Sequence, residues 1–151
     1  MLTPEVLDYM DRSVLCWLAT ANAHGQPNVS PKEIFAPWNN AVLVANIASP
    51  KTIKNLKVNP KVCLSFVEVF DQKGFQVYGR AKLIRNRSEM EPAFELLEQM
   101  AGPRFPIHSL LHIEVEDCLP IVAPSYVMYP ETTTEEMRKG AMKTYGVKPS
   151  N

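Results

Sequence analysis

The chain has 151 residues, enough for one domain around a single core, and its 46% hydrophobic and 21% charged content is that of an ordinary globular protein. Sixteen basic residues balance sixteen acidic ones, so no global field draws the chain to nucleic acid or to an anionic membrane. No apolar run reaches the ~18–20 residues that span a bilayer, and the opening MLTPEVLDYMDR lacks the basic-then-apolar order of a signal peptide. A cytoplasmic protein is expected. Cys16, Cys63 and Cys118 are odd in number, far apart and set in apolar sequence, without a C-x-x-C pair. This predicts reduced, mostly buried thiols, with neither a disulfide framework nor a metal site.

Thr3 can cap an opening helix and Pro4 suits its first position, with Leu7 and Met10 on one face. Residues 14–21 form the first strand-like run, which ends at the turn residues Asn22, Ala23, His24 and Gly25. A second run covers 28–35, and Asn39-Asn40 breaks the chain before a third at 41–47. A helix over 49–58 starts with Ser-Pro and carries Ile53 and Leu56 on one face. Runs at 61–70 and 75–84 flank Asp71-Gln72-Lys73-Gly74, which reads as a hairpin turn. Ser88-x-x-Glu91 is a capping box that opens a helix reaching Ala101, with Met90, Phe94 and Leu97 as its apolar stripe.

A sixth strand spans 107–115, where Ile113 and Val115 alternate with Glu114 and Glu116. The segment 119–130 holds Pro120, Pro124 and Pro130 and reads as irregular. It is also apolar, so it calls for a surface to cover, on its own body or a partner's. Thr132, Thr133 and Thr134 with Glu135 and Glu136 cap a last helix carrying Met137, Ala141 and Tyr145, and Gly146 stops it. Strands joined by short turns pair antiparallel. Six of them on so short a chain predict a closed or nearly closed barrel, because closure removes edges.

Two stretches carry candidate chemistry. In VANIASPKTIKNL a strand runs directly into a helix beginning Ser49, Pro50, Lys51, Thr52. Unpaired N–H groups, the helix dipole, two hydroxyls and a lysine there suit a terminal phosphate. The same residues would equally make a capped surface helix with solvated lysines. In PNVSPKEIF, Lys32 sits inside an otherwise apolar strand near two prolines, which mark an edge or a bulge with free backbone groups. A lysine there can hold charge on a flat ligand, or can guard an edge strand. His108 and His112 lie four apart in a strand, ~13 Å by strand rise, too far to share a metal. No nucleophile motif, metalloprotease motif or glycine-rich phosphate loop occurs, and no catalytic residue is assigned.

In this order, LATANAHGQPNVSPK, VLVANIASPKTIKNLKVNPKVCLSF and GFQVYGRAKL resemble the pyridoxamine 5'-phosphate oxidase-like FMN-binding split-barrel superfamily, well over 14–83 and loosely to 115. The resemblance implies a single mainly β domain over 1–151: a six-stranded antiparallel split β-barrel with short flanking helices, and 119–151 packed on the barrel or on a partner. It implies a homodimer with FMN at the subunit interface. Val29, Ser30, Pro31 and Lys32 would lie along the flavin ring or its ribityl chain, Ala45, Asn46 and Ile47 would line the pocket by backbone, and Ser49, Lys51 and Thr52 would hold the phosphate. The implied activity is oxidoreductase chemistry with a reduced nicotinamide or another small molecule. The alternatives are a non-enzymatic flavin carrier or a relative using a deazaflavin or haem. Pro27, Pro50 and Gly74 stand where the oxidases proper have arginine, arginine and glutamine, and the C-terminal Arg-x-His substrate motif is missing. Oxidation of pyridoxamine phosphate is therefore not expected.

Overall fold

In the computed structural model, which describes residues 1–150, the chain opens with α1 (Pro4–Arg12). The Thr3 hydroxyl caps it by accepting from the Val6 N–H at 3.3 Å. Its buried face is Val6, Tyr9 and Met10; Leu7, which shares a face with Met10 in the sequence pattern, is exposed.

Seven strands follow: β1 (Cys16–Ala21), β2 (Pro27–Lys32), β3 (Phe35–Trp38), β4 (Ala41–Ala45), β5 (Lys61–Glu68), β6 (Lys73–Ile84) and β7 (Leu110–Val122). They form one antiparallel sheet in the order β2-β1-β5-β6-β7-β4-β3. The two edge strands, β2 and β3, are separated in sequence by Glu33 and Ile34 alone. So short a link spans ~10 Å, whereas the edges of a flat seven-stranded sheet would lie ~29 Å apart. The sheet must therefore curl until its edges approach, and the gap between them is the split of a barrel. The seventh strand arises here: the run expected as one strand at 28–35 turns at Glu33 and crosses from one edge to the other.

Three further boundaries differ from expectation. β7 continues through Pro120 to Val122, paired with β6 up to Lys73, so the first four residues of the segment expected to be irregular are strand, and 124–128 are helical. Beyond Glu114 β7 has a neighbour on one side only, where a proline is tolerated. The β5–β6 turn lies at 69–72, with Glu68 opposite Lys73 and Gln72 at φ 55. Gly74 belongs to the strand, and a Cβ there would sit 1.9 Å from the Phe66 carbonyl oxygen. The helix expected from Ser88 is a 3-10 turn (Arg87–Glu89) followed by α3 (Glu91–Ala101), and the capping box does not form. Pro92 explains this: it has no N–H to give to a helix begun at Ser88, and is accommodated only in the first turn.

α2 (Pro50–Leu56), α4 (Pro124–Met128) and α5 (Thr134–Tyr145) complete the chain. The barrel interior packs Leu18, Phe66, Val77 and Ile113 against α1, and a second cluster of Leu43, Phe94, Leu97 and Leu110 lies under α3. α5 has the Thr133/Glu136 capping box and ends at left-handed Gly146. Its Arg138 Nε donates to Asp71, as does Arg12 of α1 at 2.8 Å, while the Tyr126 hydroxyl of α4 donates to the Asp71 carbonyl at 2.7 Å. One buried carboxylate thus ties both ends of the chain to the β5–β6 turn. Among the described residues no helix is long and apolar enough to cross a membrane.

Candidate functional site

β2 ends at Lys32 where the chain leaves one edge, and β4 ends at Ala45 beside the other edge, β3. Between them lies a cleft of about 340 Å³. Ser30, Pro31 and Lys32, with Glu33 and Ile34, form one wall; Ala45 and the loop residues Ile47, Ala48 and Ser49 form the other. Phe105, half exposed in the connection between α3 and β7, reaches the same space.

Lys32 is 8% exposed, and its Nζ donates to Ser49 Oγ, a side-chain strap across the split. No carboxylate among the described residues pairs with it. Its ladder neighbour is Cys16 of β1. Burial pushes the lysine down from its ordinary value and pushes the Cys16 thiol up to about 12, so the thiol is neutral and gives the cation no partner. A buried ammonium without a counter-ion costs solvation that an anion in the cleft would restore.

The start of α2 is built differently from a simple cap. The Ser49 hydroxyl is engaged by Lys32 and makes no cap bond, so the first N–H groups of α2 have no side-chain partner. Thr52 is buried with its Oγ1 unpaired, and Lys51 is exposed. Neither lines the cleft. The helix is held in place by Asn55 Nδ2 donating to Thr20 Oγ1 of β1 at 3.0 Å, and by Ile53 and Leu56 on the barrel core. Asn46 also stands outside the cleft: its Nδ2 donates to Ser109 Oγ at 2.8 Å and its N–H to the Ser109 carbonyl at 3.1 Å, while its Oδ1 is unpaired. Val29 is exposed on β2 and does not line the cleft.

The structure therefore gathers Ser30, Pro31, Lys32, Ala45, Ile47 and Ser49 around one space, and sets Val29, Asn46, Lys51 and Thr52 beside it. Sequence reasoning missed Phe105, whose only local signal is an aromatic between Pro103 and Pro106 in a turn region. Among the described residues, no three of His, Cys, Asp and Glu cluster as metal ligands.

The sequence pattern of the family described as Pyridoxamine 5'-phosphate oxidase matches residues 2–121. The chain belongs to this family, within the pyridoxamine 5'-phosphate oxidase-like FMN-binding split-barrel superfamily. The heme oxygenase HutZ of Vibrio cholerae is 32% identical over 87 residues, which are 54% of this chain and 46% of HutZ. The chain thus matches about half the length of that curated relative. Among solved structures, HupZ of Group A Streptococcus superposes with a TM-score of 0.68 at 24% identity, over 80% of this chain and 94% of that one. An FMN-binding protein from Syntrophomonas wolfei does so at 0.65 and 16% identity, over 79% and 88%. At these identities the likeness shows the shared fold.

Proposed function

We propose that the cleft holds FMN and that the protein is an FMN-dependent oxidoreductase acting on a small molecule or a reduced nicotinamide in the cytoplasm. The observation that carries this reading is Lys32, a buried cation in the cleft with no protein counter-ion. An anionic, flat ligand supplies what it lacks. Ser30, Pro31 and Lys32 would bind along the ring or ribityl chain, with Val29 at the margin, and Ala45, Asn46 and Ile47 would contribute backbone. Ser49, Lys51 and Thr52 would take the phosphate at the uncapped start of α2. When bound, the flavin supplies the redox chemistry, and the chain binds and orients it.

The test is the absorption spectrum of the purified protein, followed by fluorescence titration of the ligand-free form with FMN and with riboflavin. A charge-assisted phosphate contact contributes about 1.5–3 kcal/mol. Lys51→Ala should therefore weaken FMN binding about 10- to 100-fold and leave riboflavin nearly unchanged. Equal FMN affinity in wild type and variant would place the phosphate elsewhere. A second reading, haem binding, is favoured by the relative named as a heme oxygenase. A Soret band in the purified protein, with no flavin released on denaturation, would establish it in place of FMN. Oxidation of NADH or NADPH with an added acceptor separates an enzyme from a flavin carrier.

The reading includes a homodimer. Register places Pro31, Trp17, Ser65, Gln76 and Leu119 side by side on the outer face of the sheet, with Val29 and Tyr78 two residues along. Trp17, Val29, Tyr78 and Leu119 are all exposed there. A second copy of the chain would cover this apolar face. Sedimentation at micromolar concentration should give about twice the 17.0 kDa chain mass. A stable monomer that still binds FMN would sink the shared-site arrangement.

A further inference from the structure

A second hollow, of about 650 Å³, shares Ile47, Ala48 and Ser49 with the cleft and opens beyond them. Its other wall carries Lys54 in the last turn of α2, Lys57 directly after the end of that helix, and Arg85, which directly follows the end of β6. All three are exposed, and among the described residues none forms an ion pair. No carboxylate lines the hollow. The hollow beside β6 and β7 is built otherwise: there Arg80, Lys82 and His112 share the walls with Glu89 and Glu114, and Lys82 pairs with Glu89 at 3.7 Å. In a chain of zero net charge, three uncompensated cations around one hollow make a local positive field that a multiply charged anion relieves.

We propose that this hollow binds the diphosphate of a dinucleotide, and that the dinucleotide is the reduced nicotinamide donor; the donor role rests on the flavin reading above. Three cations match a group with at least two negative charges better than a single phosphate. The shared residues Ile47, Ala48 and Ser49 connect the hollow to the cleft, so a ligand anchored by its diphosphate has its remainder beside the cofactor site. The substitutions needed for a test lie at exposed positions outside the cleft, where folding tolerates them.

The test is calorimetric titration of the full chain with NADP⁺, whose oxidised ring prevents turnover, and with inorganic pyrophosphate. NADP⁺ should bind, pyrophosphate should displace it, and both affinities should fall as salt rises. The Lys54→Gln/Arg85→Gln double variant should bind each at least about tenfold more weakly, with unchanged FMN affinity and melting temperature. Three outcomes overturn the proposal: no NADP⁺ binding by the wild type, NADP⁺ that pyrophosphate fails to displace, or equal affinities in wild type and double variant. Loss of FMN binding in the double variant also overturns it, because the hollow would then hold the cofactor's own phosphate. If the wild type binds NADP⁺ in the hollow but no FMN, the diphosphate site stands and the flavin reading falls.

Discussion

Asp71→Asn is expected to lower stability by about 3 kcal/mol and the melting temperature by roughly 6–12 °C. Asp71 is 3% exposed. It accepts from Arg12 Nη1 at 2.8 Å and from Arg138 Nε, and its own N–H donates to Glu68 Oε2 at 2.6 Å. Removing its charge leaves two guanidinium groups facing a neutral amide. The arginine side chains are 30% and 46% exposed, so water recovers part of the loss, which keeps the effect at the low end for a broken buried pair.

The effect should depend on pH. Burial alone would raise the Asp71 carboxyl, but hydrogen bonds from Arg138 and Arg12 and with Glu68 hold it below its ordinary value. A depressed folded value means that the stabilisation is present above the unfolded carboxylate value of about 3.9 and is lost as the pH falls through and below it. Urea unfolding at pH 7 should separate wild type from variant, and the gap should narrow as the pH falls below about 3.9 and close only below the depressed folded value. A variant as stable as wild type at pH 7, or a gap that persists unchanged in acid, would show that Asp71 does not clamp the two ends of the chain.

Lys32→Met is expected to weaken FMN binding by about one to two orders of magnitude while raising the melting temperature of the ligand-free protein. The two effects have one cause. Burial without a counter-ion lowers the lysine below its ordinary value, so the charged form is disfavoured in the ligand-free fold. That cost begins to shrink as the pH rises through the lowered value and is gone only above the ordinary lysine value of about 10.4, whereas methionine removes it at every pH. The cation is then missing when the anionic ligand arrives. Such opposite effects on fold and site are the usual sign of a residue retained for function. Titration and melting curves of the same two proteins decide the matter. Unchanged FMN affinity would take Lys32 out of the site, and a lower melting temperature with lower affinity would make it a structural strap acting through Ser49.

Much of the fold is legible because its signals are local. The Thr3 cap, the Thr133/Glu136 capping box and the Gly146 stop depend on residues within one turn of each other. The β5–β6 hairpin follows from two strand patterns and a short link, although its turn lies two residues earlier than the turn residues suggest. The misplaced start of α3 was also local, since Pro92 outweighs a capping box when only one can sit in the first turn.

The family pattern and the stretches around Lys32 and Ser49 are legible in residue order alone. Their meeting is not, because Lys32 and Ser49 touch only once the sheet has curled enough to bring the ends of β2 and β4 together. Phe105 enters the cleft from a loop whose residues say nothing about it. Asp71 meets Arg138 across 67 positions and Arg12 across 59, and Asn46 meets Ser109 across 63. Capping, alternation and turn chemistry act over a few residues and leave their mark in the sequence; the cleft, the clamp and the charged hollow depend on how a closing sheet brings distant segments together, and that is settled by burial of the whole core.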